Sequence, residues 1–296
     1  MQYRRVGRSG LQVSVLGLGF GNVTEASTLE LDAIFDRAVR AGINVFDVAD
    51  VYGLGRAEQA LGGLMRGHAR HRLVIATKVC SPMSDDCNDQ GLSRKHLREA
   101  IEGSLERLET RYVDLYLCHD IDEQTPLEET AWTMDQLIRE GKCLYWGVSN
   151  WPFVWIERAL QVCRERGLCP PIVDQSQYNL LNERAMHHHV EEVTDAGLGF
   201  LAWGPLASGV LTGKYFGNRS APGRLNTERF AFLQDELLTA ESDHIVAGLL
   251  ARARERGTTP ARLAIAELVS NPRLSSVLLG VTSPEQLDEL LGRQNR

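Results

Sequence analysis

The chain has no Cys-x-x-Cys pair. Its six cysteines stand apart at positions 80, 87, 118, 143, 163 and 169, a spacing that reads as a reduced cytoplasmic protein rather than a disulfide scaffold. Cys118 and Cys143 fall inside apolar runs and are expected to be core thiols. No apolar run approaches the roughly 18 residues that cross a bilayer, and the opening MQYRRVGRSG lacks the apolar core of a secretory leader. Blocks of basic residues are missing too, and the formal net charge is −7. Neither nucleic acid nor a membrane is therefore expected as a partner. No Pro/Ser-rich linker divides the 296 residues, so a single domain over 1–296 is expected.

What is present is ordinary in bulk and regular in order. With 43% hydrophobic and 24% charged residues, the chain is a soluble globular mixture of α/β size. A short N-terminal β-hairpin is predicted, turning at Arg8, Ser9 and Gly10. Short apolar runs then alternate with amphipathic stretches. The runs are VSVLGLGF, INVFDVA, LVIATKV, VDLYLCH, LYWGVSN, IVDQSQY, GFLAWGP and SSVLLGV. Between them lie helical patterns such as SRKHLREAIEGSLERLE, where Leu97, Ile101, Leu105 and Leu108 share one face. Ser93 is placed to cap that helix, and Gly42, Gly141, Gly197 and Gly257 stand where helices should end.

Eight strand–helix units match the parallel (β/α)8 TIM barrel, whose usual size is about 250 residues. Barrel strands are covered on both faces, which accounts for runs that are continuously apolar rather than alternating. Two segments are longer than the unit requires. One is SPMSDDCNDQGLS after the third strand. The other is an extra, partly helical segment over residues 205 to 242, after the seventh strand. Both belong to the C-terminal face, where such barrels place their active sites. A doubly wound sheet is the rival, because VLGLGFG followed by a helix and INVFD also fits a dinucleotide-binding turn. Against it, Asp47 lies 30 residues beyond Gly17, where that fingerprint expects an acid after about 20.

Ionisable groups gather at the ends of successive strands. Asp47 ends the second, with Tyr52 in the turn behind it. Lys78 ends the third and His119 the fourth. Taken singly, each has a plain structural explanation: a turn cap, a packing ring, a solvated edge, a core histidine. Taken together at one mouth they suit carbonyl reduction by hydride. Tyr52 can protonate the carbonyl oxygen, although a free phenol of pKa about 10 is a slow acid at pH 7. An ammonium within ~4–6 Å favours the phenolate. Lys78 is expected to supply that ammonium, Asp47 to hold it charged, and His119 to polarise the carbonyl.

The segments FDVADVYG, ATK, DLYLCHD and WGVSN resemble the aldo-keto reductase family, in the branch similar to potassium-channel β-subunits and their bacterial reductase relatives. The resemblance runs through the whole chain. It implies a barrel that binds NADPH without a Rossmann fold, and a catalytic set of Asp47, Tyr52, Lys78 and His119. It also implies that Ser149, Asn150 and Gln175 grip the nicotinamide carboxamide, while Trp203 stacks on the ring. The backbone of Gly204, Pro205, Leu206, Ala207 and Ser208 would follow the pyrophosphate, and Lys214 and Arg224 would meet phosphates. In LLGVTSPEQLDELLG, the resemblance assigns Gly280, Thr282, Gln286 and Glu289 to the adenosine end, where the amides of a helix N-terminus favour an anion.

Three departures from the family pattern stand out. Leu290 occupies a place where relatives often carry an adenine-binding Asn. Phe20 and Gly21 replace a Thr–aromatic pair. The chain ends soon after its last helix, so a fairly open pocket is expected. The run His187, His188, His189 could suggest a metal, but neighbours on a helix point about 100° apart, so an exposed helix face is expected and no metal site. The function expected is NADPH-dependent reduction of aldehyde, ketone or sugar carbonyls. Two alternatives stay open: a β-subunit-like regulatory protein that holds cofactor with little turnover, and a specialised sugar or nucleotide-sugar reductase or dehydrogenase. The expected partner is a small carbonyl substrate, and the branch permits a homo-oligomer.

Overall fold

Val6 and Val13 decide how the chain begins. They flank a turn joining two short antiparallel strands, β1 (Tyr3–Arg5) and β2 (Gln12–Ser14), and both are fully buried. The computed structural model describes residues 1–21, 27–228 and 230–292. After the hairpin come β3 (Leu16–Gly19), α1 (Thr28–Ala41), β4 (Val45–Asp47), α2 (Arg56–Met65) and β5 (Val74–Val79). Next follow α3 (Arg94–Arg107), β6 (Val113–Cys118), α4 (Leu127–Arg139), β7 (Cys143–Ser149) and α5 (Phe153–Arg166). The chain continues with β8 (Val173–Gln177), α6 (Glu183–Asp195), β9 (Gly199–Trp203), α7 (Gln234–Leu237) and α8 (Ala240–Glu255). It closes with α9 (Pro260–Ser270), β10 (Ser276–Leu279) and α10 (Pro284–Leu291).

Strands β3 to β10 pair in parallel and in chain order, and β10 returns to β3 to close an eight-stranded barrel. The fold is therefore the expected (β/α)8 barrel, and closure excludes the doubly wound sheet. The glycine-rich run that suggested the rival has a packing role. A Cβ at Gly17 would lie 2.6 Å from Leu278 Cδ2, so a bare backbone is needed where β3 crosses the filled interior.

All six residues of β5 and all six of β6 are buried, which is why their sequences run apolar without alternation. Val45, Val74, Ala76, Leu115, Leu117, Val173, Leu201 and Leu278 fill the barrel, and Val6 and Val13 of the hairpin plug its N-terminal end. Each such Val or Leu side chain contributes roughly 1.5–3 kcal/mol by leaving water. Outside the barrel, Leu97, Ile101, Leu105 and Leu108 of the α3 segment are all buried against the sheet. Ser93 accepts the His96 N–H at 3.2 Å and starts that helix. Cys118 and Cys143 are buried as expected, and Cys163 joins them.

Between β9 and α8 the extra segment makes a small core in which its Leu211, Tyr215, Leu225 and Leu237 join Val246 and Leu249 of α8. The histidine run needs a correction. His187 and His188 are exposed, but His189 turns inward, with Nε2 2.9 Å from Asp174 Oδ2 on β8. Only two of the three fit an exposed face, because the 100° step carries the third round to the barrel. Among the described residues no helix is long and apolar enough to cross a membrane.

Candidate active site at the C-terminal mouth

Parallel pairing puts the ends of β4, β5 and β6 side by side. Asp47 is in register with Ala76, and Lys78 with Leu117. The Lys78 side chain is fully buried. Its Nζ donates to Asp47 Oδ2 at 2.7 Å, to the Val48 carbonyl at 2.7 Å and to Tyr52 Oη at 3.3 Å. Three acceptors match the three ammonium protons. Burial alone would depress this pKa, but Asp47 above all and then Tyr52 outweigh it and push it up. The ammonium therefore stays charged.

Tyr52 receives a proton bond from Lys78, so its own hydroxyl proton is left for another acceptor. Its pKa is raised, because burial outweighs the downward pull of Lys78. This corrects the expectation of a net lowering: Lys78 acts in the expected direction, and desolvation is larger. Asp47 is held on its other oxygen too, with Gln175 Nε2 donating to Oδ1 at 2.8 Å. Sequence reading gave Gln175 a cofactor role and missed this bond across the barrel mouth.

His119 stands edge-on to Tyr52, with ring centroids 5.5 Å apart and planes at 78°. Burial first, and Lys78 second, push its pKa down to about 3, so the imidazole is neutral at any ordinary pH. Its Nδ1 is buried without a hydrogen-bond partner among the described residues.

Asp50 escaped any assignment in the sequence, although it shares the Tyr52 turn. It is fully buried, with Oδ1 accepting the Val51 N–H at 2.6 Å and Oδ2 without a partner among the described residues. Burial and repulsion from Glu58 push its pKa up to about 7. Glu58, itself fully buried, accepts from Thr77 Oγ1 at 2.5 Å and Arg107 Nε at 2.7 Å. Nothing in the spacing of residues 50 and 58 signals that pairing.

One elongated cavity of about 1250 Å³ opens above these groups. Asp47, Tyr52 and His119 line one end, while Lys78 lies behind them. Ser149, Asn150, Gln175 and Trp203 line its side, and Gly280, Thr282, Gln286, Glu289 and Leu290 line the far end. Gly204, Pro205, Leu206, Ser208, Lys214 and Arg224 complete the wall. Ala207 does not belong to it: its side chain is buried in the small core of the extra segment. Of the Phe20–Gly21 pair, Gly21 lines the cavity, whereas Phe20 is buried and packs near Phe46. Phe230, Phe232 and Glu236 were not anticipated as lining residues. Their only signal was the unusual length of the segment after the seventh barrel strand.

Local bonds prepare this wall. Trp203 Nε1 donates to Asn150 Oδ1 at 3.0 Å, and Asn150 Nδ2 to Ser149 Oγ at 3.2 Å. Ala207 and Ser208 hold left-handed backbones at φ 47° and 53°, each costing on the order of 1 kcal/mol or more. Lys214 lies between two glycines: a Cβ at Gly209 would be 2.9 Å from its Cε, and one at Gly223 2.8 Å from its Nζ. Burial and the neighbouring Arg224 push the Lys214 pKa down. At the far end, Ser283 caps α10, and Gln286 Oε1 turns back to accept the Thr282 N–H at 2.9 Å. The amide oxygen of Gln286 is thus engaged in the cap.

Comparison with known proteins agrees with this architecture. A sequence model of the Aldo/keto reductase family matches residues 15–295. A protein of Oryza sativa subsp. japonica named "Probable voltage-gated potassium channel subunit beta" is 42% identical, over 98% of this chain and 90% of its own length. An Arabidopsis thaliana protein of the same name is 40% identical, over the same shares. The chain belongs to the aldo/keto reductase family.

Proposed function

Taking that membership as the premise, we propose that residues 1–296 work as one catalytic barrel, an NADPH-dependent oxidoreductase reducing aldehyde, ketone or sugar carbonyls to alcohols. The observation that carries the reading is the fully satisfied ammonium of Lys78, 2.7 Å from Asp47 and 3.3 Å from the Tyr52 hydroxyl, at the floor of a long cavity. That cavity, at about 1250 Å³, exceeds the roughly 300–1,000 Å³ of ordinary small-ligand pockets, which suits a dinucleotide with a substrate beside it. Lys214 forms no ion pair with a carboxylate among the described residues, which suits a phosphate.

Ser149, Asn150 and Gln175 would hold the carboxamide end and Trp203 the ring. The Gly204–Ser208 backbone, Lys214 and Arg224 would hold the phosphates. Gly280, Thr282, Gln286 and Glu289 would hold the adenosine end, with Leu290 giving it an apolar wall. When bound, NADPH supplies the hydride. The chain supplies the rest. Lys78 donates to Tyr52 Oη, so the phenolic proton points away from Lys78 and can pass to a carbonyl oxygen. Lys78 stabilises the phenolate left behind, Asp47 and Gln175 keep Lys78 in place, and neutral His119 donates a second hydrogen bond to the same oxygen.

The names of the two relatives favour a second reading: a cofactor-holding β-subunit of a potassium channel with little turnover. Steady-state loss of NADPH absorbance with a reactive aldehyde separates the two. Tyr52→Phe is expected to keep NADPH affinity and lower turnover at least about a hundredfold, within the usual range for a general acid. Near-full activity in that variant would remove Tyr52 as the proton donor. No turnover in the unmodified chain with any carbonyl would leave the subunit reading.

A further inference from the structure

A smaller cavity of about 330 Å³ lies at the opposite end of the barrel, against the hairpin, with Arg4, Arg5, Arg8 and Arg273 on its wall. Four arginines thus line one cavity in a chain whose net charge is −7. Their partners are mostly uncharged. Arg4 donates to the carbonyls of Asn271, Leu274 and Val269 at 2.8, 2.7 and 2.6 Å, and to no carboxylate among the described residues. Burial pushes its pKa down, as expected for a half-buried cation without a counter-charge. Among the described residues the Arg8 side chain reaches only the Asp195 carbonyl, at 3.3 Å. Arg5 makes no side-chain hydrogen bond or ion pair among the described residues. Arg273 donates to Thr194 Oγ1 at 2.6 Å and pairs with an acid, Asp195 Oδ1, at 2.7 Å.

Two of the four serve the fold: Arg4 through its three carbonyls, and Arg273 through Thr194 and Asp195. Arg4 ties the C-terminal end of α9 to the hairpin. Arg5 and Arg8 are exposed and hold nothing comparable. The Arg8 side chain lies across Gly197, whose backbone is left-handed at φ 99°.

We propose that this cavity is a binding site for a small phosphoryl anion, free (pyro)phosphate or the phosphate of a small metabolite. Guanidinium forks pair bidentately with phosphate oxygens, and a volume near 330 Å³ suits one or two phosphoryl groups with a small carrier. An acidic peptide would need an extended groove. The occupant would tie the hairpin to the α6–β9 and α9–β10 connections.

Calorimetric titration with inorganic pyrophosphate tests the site in two backgrounds: the chain saturated with NADPH, and an Arg224→Ala variant that weakens the phosphate wall of the large cavity. The expected result is one site per chain in both. Affinity should fall at least about tenfold in Arg5→Ala/Arg8→Ala, as for lost charge-assisted bonds, and fall with added salt. Circular dichroism checks that the double variant is folded, and leaving Arg4 intact keeps the staple of the hairpin. Inorganic phosphate and glycerol phosphate, run as parallel arms, separate a free anion from a metabolite, and tighter binding of either supports the site. No binding overturns the proposal. So does binding that ignores Arg5 and Arg8, binding lost only with Arg224→Ala, or an equal heat from chloride at matched ionic strength. None of these outcomes depends on the chain being a reductase.

Discussion

Lys78 and Lys214 stand at the two halves of one cavity, and burial drives both towards neutrality. At Lys78 the drive is reversed, because Asp47, the Val48 carbonyl and Tyr52 take all three of its protons. At Lys214 it is not: its neighbour is another cation, Arg224, and its pKa falls. The difference shows how the two halves are built. The half around Tyr52 is electrostatically complete within the chain and is carried by strand ends. The other half is carried by loops and holds positive charge that calls for an anion from outside.

Three changes would break or sharpen that comparison. The largest effect is expected from Lys78→Met. It strands the buried Asp47 carboxylate, which should cost about 3–5 kcal/mol in denaturant unfolding, as removing one partner of a buried pair does. Turnover should fall at least about a hundredfold as well. A variant that lost activity with unchanged stability would show Asp47 to be solvated, and the near half would no longer count as self-contained.

Asp50→Asn should come next. The Asp50 pKa is about 7 in the fold against 3.8 for the ordinary group. Its folded pKa is raised, so its contribution to stability is fully present below about pH 4 and is lost as the pH climbs through 7. Asparagine cannot ionise, so the variant should be the more stable by on the order of a few kcal/mol at pH 8, with the gap closing towards pH 4. Melting curves across that range read it directly. A gap independent of pH would mean that the second oxygen of Asp50 is solvated. Lys214→Met should have the smallest effect: no loss of stability without cofactor, and NADPH affinity down roughly tenfold by fluorescence titration, the scale of one charge-assisted contact. Loss of stability there would give Lys214 an internal partner and erase the contrast.

The same contrast explains what could be read ahead of the structure. Continuous apolar runs are what doubly covered parallel strands require, so eight of them, separated by amphipathic helices, implied the barrel. A residue that closes such a run must emerge at the mouth, which made Asp47, Lys78 and His119 legible from position. Loops have no such period. The segment after the seventh barrel strand could be marked as long, but not resolved into Phe230 and Glu236 on the cavity wall or Ala207 turned into a separate core. Long-range pairs were equally hidden. Gln175 reaching Asp47 and His189 reaching Asp174 join residues whose proximity only barrel closure and helix docking create.

Order along the chain therefore determined the eight-unit architecture, the family resemblance and the types of group at each strand end, because periodicity and strand polarity are local properties. Tertiary packing decided the charge states. A lysine, a phenol, an imidazole and an aspartate acquire their acidities from how much water burial removes and from which opposite charge is placed within bonding distance, and both are fixed only when distant segments come together.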